Sequence, residues 1–248
     1  MMNKFKILIA VIMSLSLLSC SDPQDDDTWI VGTSADNPPY EFMKDGEIVG
    51  FDVDLMVTIG QHLGKNIEFR NMEFHGLIAS LASNSVDMVI AGMSITPERQ
   101  RRITFSTPYT DARIAVLFRR EDGFKRAEDL QDKKAGAQLG TIWTLIAHDM
   151  SMKHHFRTKA LANNLMLVEE LKNKRLDAVV LEESQAEKFM DKYPKLSSFS
   201  VKQYGSSFAI ALPKETNLKK NLDHSIKQLK SNGTISALAE KWGIISAQ

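Results

Sequence analysis

The sequence predicts an α/β protein of two lobes, each built on a mixed, mostly parallel sheet with helices on both faces. Apolar strand patterns alternate with helical patterns from Trp29 onward, an order typical of parallel sheets. One helix–strand segment, 77–92, has an echo at 167–182. Two further strand patterns, 114–118 and 208–212, are placed to cross between the lobes and back.

Local patterns predict the individual elements. The first strand is 29–33, and residues 40–43 and 47–49 form a hairpin around Lys44-Asp45-Gly46. Apolar residues at helical spacing after Asp52 predict a helix that ends at Gly64. The following elements are a strand at 67–69, a helix at 77–82 and a strand at 86–90.

The repeat indicates two similar lobes. Residues 77–92 (LIASLASNSVDMVIAG) and 167–182 (LVEELKNKRLDAVVLE) both read as helix, polar turn, aspartate and buried strand. Asp87 matches Asp177, and Gly92 matches Glu182. Since ligands bind at the carboxyl ends of strands in open α/β sheets, each lobe would present one such end. A chance match of two common patterns is the alternative.

Composition excludes several classes of function. The 248 residues include 31 Lys plus Arg and 31 Asp plus Glu, so the formal net charge is zero. A neutral chain has no overall positive charge to attract nucleic acid. The six histidines are scattered, and no zinc-ligand spacing occurs. We therefore predict no metal and no cofactor.

The N-terminus predicts export. Lys4 and Lys6 precede an apolar run, 7–18, which is too short to span a bilayer. The chain's only cysteine, Cys20, follows directly after Leu-Leu-Ser, a pattern that resembles the bacterial lipoprotein signal. This resemblance implies a signal peptide at 1–19, lipid such as palmitate on Cys20, a flexible tether at 20–28 and attachment to the cell-envelope membrane. The alternative is a free or buried thiol behind an ordinary signal.

The stretch AGMSITPER, 91–99, is typical of an anion receptor. Thr96 is a good N-cap and Pro97 suits the first helical position, so Arg99 falls in the first turn. Free amide hydrogens and the helix dipole favour an anion there, and the guanidinium fits a carboxylate through two hydrogen bonds. The alternative is a plain turn with an exposed arginine.

The second lobe offers the complementary groups. Gln138, Gly140 and Thr141 also lie where a strand passes into a helix, and Thr141 can donate hydrogen bonds. Glu182, at the end of the repeated strand, can accept them from an ammonium group. Together with Arg99 this describes a site for an α-amino acid. Taken alone, Glu182 also fits a surface acid.

The chain resembles the solute-binding proteins that deliver polar amino acids to ABC importers. The segments that carry the resemblance are 32–42, 47–55, 86–106, 139–141, 176–183 and 232–243. It implies a periplasmic-binding-protein-like (type II) fold with a two-strand hinge, lobes at 29–109 with 205–248 and at 110–204, and no catalysis. It also implies a monomer, whose partners are an ABC permease, its ATPase and a free L-amino acid.

The resemblance assigns roles by position. Arg99 would bind the ligand carboxylate, helped by Ser94 and Thr141. Glu182 would bind the ammonium, helped by Ser94 and by acceptors at Ala91 or Gly92. Phe74 would form an apolar wall, and the residues that select the ligand side chain would be Ser34, Asn37 and Gln138. Many members have an acid at the place of Ser34 and an aromatic residue at Asn37. Glu41 is a candidate to replace the acid, and Trp143 and His75 are candidates to line the pocket. Arginine is the expected ligand, and glutamine the second choice.

Two other classes of function stay open at this stage. The same two-lobed fold resembles that of a few secreted dehydratases. In an enzyme of that kind, Glu182 or Glu41 of this chain would be the general acid. A sensor or envelope antigen without a transport partner would carry the same binding residues.

Overall fold

The computed structural model describes residues 27–244. The predicted signal peptide 1–19, Cys20 and most of the tether 20–28 lie outside the described residues. The elements up to Phe105 are β1 (Thr28–Thr33), β2 (Asp36–Asn37), β3 (Glu41–Lys44), β4 (Glu47–Val49), α1 (Phe51–Leu63), β5 (Asn66–Asn71), α2 (Leu77–Ala82), β6 (Met88–Val89), α3 (Pro97–Arg102) and β7 (Thr104–Phe105).

The later elements follow a long strand that leaves this region. They are β8 (Thr110–Arg119), β9 (Lys134–Gln138), α4 (Ile142–His154), β10 (Arg157–Leu161), α5 (Asn164–Lys172), β11 (Ala178–Glu182), α6 (Glu183–Lys192), β12 (Leu196–Phe208), β13 (Ala211–Leu212), α7 (Leu218–Ser231) and α8 (Thr234–Trp242). Short 3-10 helices occur at Phe74–Gly76, Arg120–Asp122 and Ala127–Leu130.

Two five-stranded sheets carry the two lobes. The first lobe has the order β5-β1-β6-β13-β7 and the second β10-β9-β11-β8-β12. Each sheet combines parallel pairs, such as β1–β5 and β9–β10, with antiparallel pairs, such as β6–β13 and β8–β11. A small antiparallel sheet, β2-β3-β4, packs against α1 of the first lobe. The predicted two-lobed α/β class with mixed sheets is confirmed.

Helices cover both faces of the central strands. Along β11, Ala178 and Val180 belong to the core covered by α4, whereas Val179 and Leu181 belong to the core under α5 and α6. Successive side chains of a strand point to opposite faces, so a strand buried on both sides reads as a continuous apolar run. This burial explains the apolar runs that end each half of the repeat.

The repeated aspartates perform the same structural task in both lobes. The Asp87 carboxylate accepts a hydrogen bond from the N–H of Ile30 in β1 (2.7 Å). The Asp177 carboxylate accepts one from the N–H of Lys134 at the start of β9 (2.9 Å). In each lobe the aspartate thus fixes the start of the repeated strand against its parallel neighbour. The repeat is structural, and it brings Gly92 and Glu182 to corresponding sheet edges.

Two local predictions in the first lobe, a hairpin turn and a helix end, are confirmed. The β3–β4 turn places Asp45 and Gly46 at φ 52° and 87°, as a two-residue hairpin requires. Helix α1 ends at Gly64, which has left-handed backbone angles. The predicted strand 86–90 is shorter in the structure, since β6 covers Met88–Val89.

Two paired strands join the lobes. β8 and β12 are antiparallel from Arg119 opposite Leu196 to Thr110 opposite Phe208. At the latter end the Tyr109 N–H donates to the Phe208 carbonyl oxygen (2.9 Å), and the chain enters the first lobe. These strands form the predicted hinge. The expected crossing strand 208–212 is wrong in extent, because β12 begins at residue 196, in a serine-rich stretch with no apolar pattern.

Within residues 27–244, no helix is both long and apolar enough to cross a membrane.

Candidate ligand-binding site between the lobes

A cavity of about 320 Å³, counting its part open to solvent, lies between the sheet edges of the two lobes. Its lining consists of Asn37, Phe74, Ala91, Gly92, Ser94, Arg99, Gln138, Thr141, Ile142, Trp143, Glu182 and Phe208. Nine of the ten residues predicted from the sequence to bind ligand are in this set, and only Ser34 is not.

Arg99 lies on the first-lobe side of the cavity and is held by backbone groups. The Thr96 hydroxyl accepts the Arg99 N–H (3.2 Å), which confirms the predicted N-cap of α3. Arg99 Nη1 donates to the Ser94 carbonyl oxygen (2.6 Å), and Nη2 donates to the Gly140 carbonyl oxygen of the other lobe (2.9 Å). The guanidinium is therefore aimed across the cleft, and the alternative of an exposed arginine is wrong.

The charge of Arg99 has no ionic partner among residues 27–244. The side chain is buried, with 8% of its surface exposed, and no described carboxylate forms an ion pair with it. Burial lowers the pKa of Arg99 to about 10. Its Cζ lies 5.5 Å from the centre of the Phe74 ring, a favourable cation–π distance. A buried, unpaired guanidinium favours binding of an anionic group.

The second lobe contributes the turn before α4. Gly140 has φ 83°, and a Cβ there would lie 3.0 Å from His75, so glycine permits the close approach of the two lobes. The Thr141 hydroxyl donates to the Gln138 carbonyl oxygen (2.7 Å) rather than into the cavity. The expected donation from Thr141 to a ligand therefore requires its hydroxyl to rotate. His75 lines a neighbouring groove with Leu145, not the cavity itself.

Glu182 closes the second-lobe side of the cavity. It is the last residue of β11 and the N-cap of α6, where its carboxylate accepts the Gln185 N–H (3.0 Å). The side chain is 1% exposed, and this burial raises the pKa of Glu182 to about 8. The reading of Glu182 as a surface acid is wrong. Its donors, the Gln185 N–H and the Ser184 hydroxyl (3.4 Å), are neutral, so the buried carboxyl favours binding of a cationic group.

Aromatic and apolar side chains complete the walls. Phe74 is 6% exposed, and Trp143 and Phe208 meet edge to face with their ring centres 6.4 Å apart. From the sequence, Trp143 is only a candidate for the pocket, and Ile142 and Phe208 are not predicted to belong to it. No local pattern distinguishes Phe208 from a core residue, because its position depends on β12 crossing between the lobes.

Asp36 of β2 links the lobes beside the cavity. Its carboxylate accepts hydrogen bonds from Ser34 Oγ (3.1 Å), Gln138 Nε2 (3.0 Å) and the Asn164 N–H (2.6 Å). Gln138 Oε1 in turn accepts from Asn164 Nδ2 (2.9 Å). Burial raises the pKa of Asp36 to about 6. Asp36 is not predicted from the sequence, because two of its partners, Gln138 and Asn164, belong to the other lobe.

A second acidic group lies under the first-lobe wall. Glu41 Oε1 accepts from Asn37 Nδ2 (3.0 Å), and Asp52 Oδ2 accepts from the Gly92 N–H and the Tyr109 hydroxyl (both 2.8 Å). Burial, followed by the Asp52 charge, raises the pKa of Glu41 well above its usual range. Burial raises that of Asp52 to about 6. Glu41 thus orients Asn37 and Asp52 orients Gly92, both from the side of the wall that faces away from the cavity. Glu41 itself does not line the cavity.

The site holds no candidate metal cluster, nor does any other place in the described part of the chain. Its chemistry consists of one unpaired guanidinium, buried carboxyls, amides and aromatic walls. That set suits a small zwitterion with a polar side chain.

Comparisons with known proteins agree with this geometry. The family model for bacterial extracellular solute-binding proteins, family 3, matches residues 29–244. The arginine-binding extracellular protein ArtP of Bacillus subtilis (strain 168) is 32% identical over 244 residues, which cover 95% of this chain and 96% of the relative.

Solved structures extend the likeness to three dimensions. An ancestral arginine-binding protein bound to arginine has a TM-score of 0.83 and 34% identity, covering 87% of this chain and 98% of that one. A structure described as an ancestral arginine-binding protein bound to glutamine has a TM-score of 0.82 and 34% identity, covering 87% and 97%. The predicted type II periplasmic-binding-protein fold is confirmed. The chain belongs to the bacterial extracellular solute-binding proteins, family 3, and is a binding protein that works outside the cytoplasm.

Proposed function

We propose that this protein captures a basic amino acid, arginine first, between its lobes and delivers it to an ABC permease with its ATPase. One observation carries the proposal: an unpaired guanidinium, Arg99, and a buried carboxyl, Glu182, line one cavity from opposite lobes. An α-amino acid has one anionic and one cationic group to match them. The arginine-binding relatives support arginine, and the glutamine-bound structure supports glutamine as the second choice.

The remaining cavity residues take supporting roles. Arg99 binds the ligand carboxylate with Ser94 and Thr141, and Glu182 binds the ammonium with the carbonyl oxygens of Ala91 or Gly92. Phe74 and Trp143 enclose the side chain. Micromolar affinity is about −8 kcal/mol, and each hydrogen bond to a charged group contributes roughly 1.5–3 kcal/mol. Two or three such bonds plus aromatic contact suffice after association costs.

Capture requires the lobes to move. We assign residues 29–109 with 205–248 to one lobe and 110–204 to the other, with β8 and β12 as the hinge between them. Contacts such as Arg99 to Gly140 join the lobes and would break on opening. Hinge closure of this kind is a known switching mode. We expect one chain to act as a monomer.

The N-terminal residues supply the location. We propose that Cys20 is lipidated after removal of residues 1–19 and that the lipid holds the protein at the membrane. The family's extracytoplasmic location supports export, and the single cysteine at the expected cleavage position supports lipidation.

Thermal unfolding of the soluble form that begins after Cys20 tests the proposal. It is measured with each of the twenty amino acids, ornithine and citrulline, because a ligand at a hundredfold excess over Kd stabilises the native state by about 2.7 kcal/mol. We expect arginine to raise the midpoint and Arg99→Ala to abolish the shift. Arg101→Ala, an exposed position on the same helix, is the matched control. No shift with any amino acid would overturn the proposal.

A further inference from the structure

Pairing an α-amino acid with the site leaves buried negative charge uncompensated. The ligand carboxylate pairs with Arg99 and its ammonium with Glu182, as proposed above. Three more acids, Asp36, Glu41 and Asp52, lie buried beside or behind the cavity, with 4% exposure for Asp36 and none for the others. No lysine, arginine or histidine of residues 27–244 forms an ion pair with any of the three.

Glu41 and Asp52 compensate each other. Beyond the effect of burial, the charge of Asp52 and a hydrogen bond between the two carboxyls raise the pKa of Glu41, and the same hydrogen bond lowers that of Asp52, so Glu41 holds the proton that Asp52 accepts. Two carboxyls in such contact share one proton. The charge that remains on Asp52 receives two donors, the Gly92 N–H and the Tyr109 hydroxyl. This pair is therefore a satisfied structural unit behind the wall.

Asp36 is different, because it lies at the boundary between the lobes next to cavity residues. Its neighbour Asn37 and its partner Gln138 both line the cavity. All its hydrogen-bond donors are neutral: the Ser34 hydroxyl, the Gln138 amide and the Asn164 N–H. Neutral donors reduce the cost of burying a carboxylate but do not cancel its charge.

We propose that Asp36 determines specificity for a ligand with a positively charged side chain, acting through Gln138 and across the lobe boundary. A cationic side chain in the cavity neutralises the buried carboxylate, whereas a neutral one, such as that of glutamine or citrulline, leaves it uncompensated. The inference rests on the proposed amino-acid function and refines it to a chemical class.

The Asp36 carboxylate also lies against residue 34. The Ser34 hydroxyl donates to Asp36 Oδ1 (3.1 Å), so the carboxylate reaches the neighbourhood of residue 34 from two positions further along.

Titration of Asp36 gives an independent signature. Burial raises the pKa of Asp36 to about 6, and the charge of Glu73 contributes to this rise. The charge of Asp36 in turn contributes to the raised pKa of Glu41. Asp36 is thus ionised at pH 7 and becomes neutral as the pH falls through 6. A cationic ligand favours the ionised form, so the preference for arginine over citrulline weakens below pH 6. The Glu182 contribution cancels in this ratio, since both ligands carry the same ammonium.

The test compares the Kd of arginine with that of citrulline, its neutral near-isostere, by calorimetry. We expect Asp36→Asn, which keeps an acceptor for the Asn164 N–H, to reduce the preference for arginine by about tenfold, which corresponds to one pKa unit of interaction between the two charges. Glu47→Gln removes the same charge from an exposed position on β4 and should leave the ratio unchanged.

A rescue variant keeps the test decisive. Ser34→Asp combined with Asp36→Asn moves the acid to a residue that already contacts position 36, and it should restore the preference and its decline below pH 6. An unchanged arginine-to-citrulline ratio in Asp36→Asn would overturn this inference while leaving the proposed function intact. If Asp36→Asn does not fold, a ratio in the unmodified protein that stays constant from pH 7.5 to pH 5 would overturn it. Binding of neither ligand would overturn both.

Discussion

The buried carboxyl of Glu182 predicts that affinity for any α-amino acid rises with pH. In the structure burial raises the pKa of Glu182 to about 8, so most molecules carry a protonated Glu182 at pH 7. A ligand ammonium pairs with the ionised form. Binding must therefore remove a proton from Glu182, and a higher pH makes that removal easier.

The magnitude follows from the ionised fraction. With a pKa of about 8, roughly 3% of Glu182 is ionised at pH 6.5 and half at pH 8. Affinity should therefore increase about fifteenfold between these two values. Restricting the range to pH 6.5 and above limits the contribution of Asp36 and Asp52, whose pKa values are about 6.

Titration calorimetry measures this effect directly. At pH 7 in buffers of different ionisation enthalpy, the unmodified protein should release about one proton for each ligand bound. Glu182→Gln cannot titrate, so its weaker binding should show neither proton release nor the pH slope. A Kd that is constant from pH 6.5 to pH 8, or the same slope in Glu182→Gln, would refute the assignment of Glu182 to the ammonium.

Two further predictions concern the cavity wall and the anchor. Gly92 has φ 53°, and a Cβ there would lie 3.0 Å from Asn37 Nδ2 and 3.2 Å from Phe208, so Gly92→Ala should cost about 1–2 kcal/mol of stability in chemical denaturation. It should also weaken arginine binding at least about tenfold by displacing the wall; unchanged affinity would remove Gly92 from the site. Cys20→Ser should release the full-length protein from the membrane fraction of cells; continued membrane association would contradict lipidation.

The sequence by itself determined the elements whose causes are local. Apolar runs and helical spacing located the strands and helices, and the Asp45-Gly46 pair located a hairpin, because backbone angles at a turn depend on the residues in it. The N-cap at Thr96 placed Arg99 at the cavity for the same reason. Glu182 was predictable through the repeat, since equivalent strands end at equivalent sheet edges.

Only the tertiary structure decided which residues meet across the lobes. Asp36 lies 102 positions from Gln138 and 128 from Asn164, and no short pattern encodes contacts at that separation. The serine-rich strand β12 is stabilised by pairing with β8 rather than by its own propensity, and it is what brings Phe208 to the cavity. Burial, a property of the whole fold, also decided the protonation of Glu182 and Asp36, because desolvation and not sequence sets their pKa values.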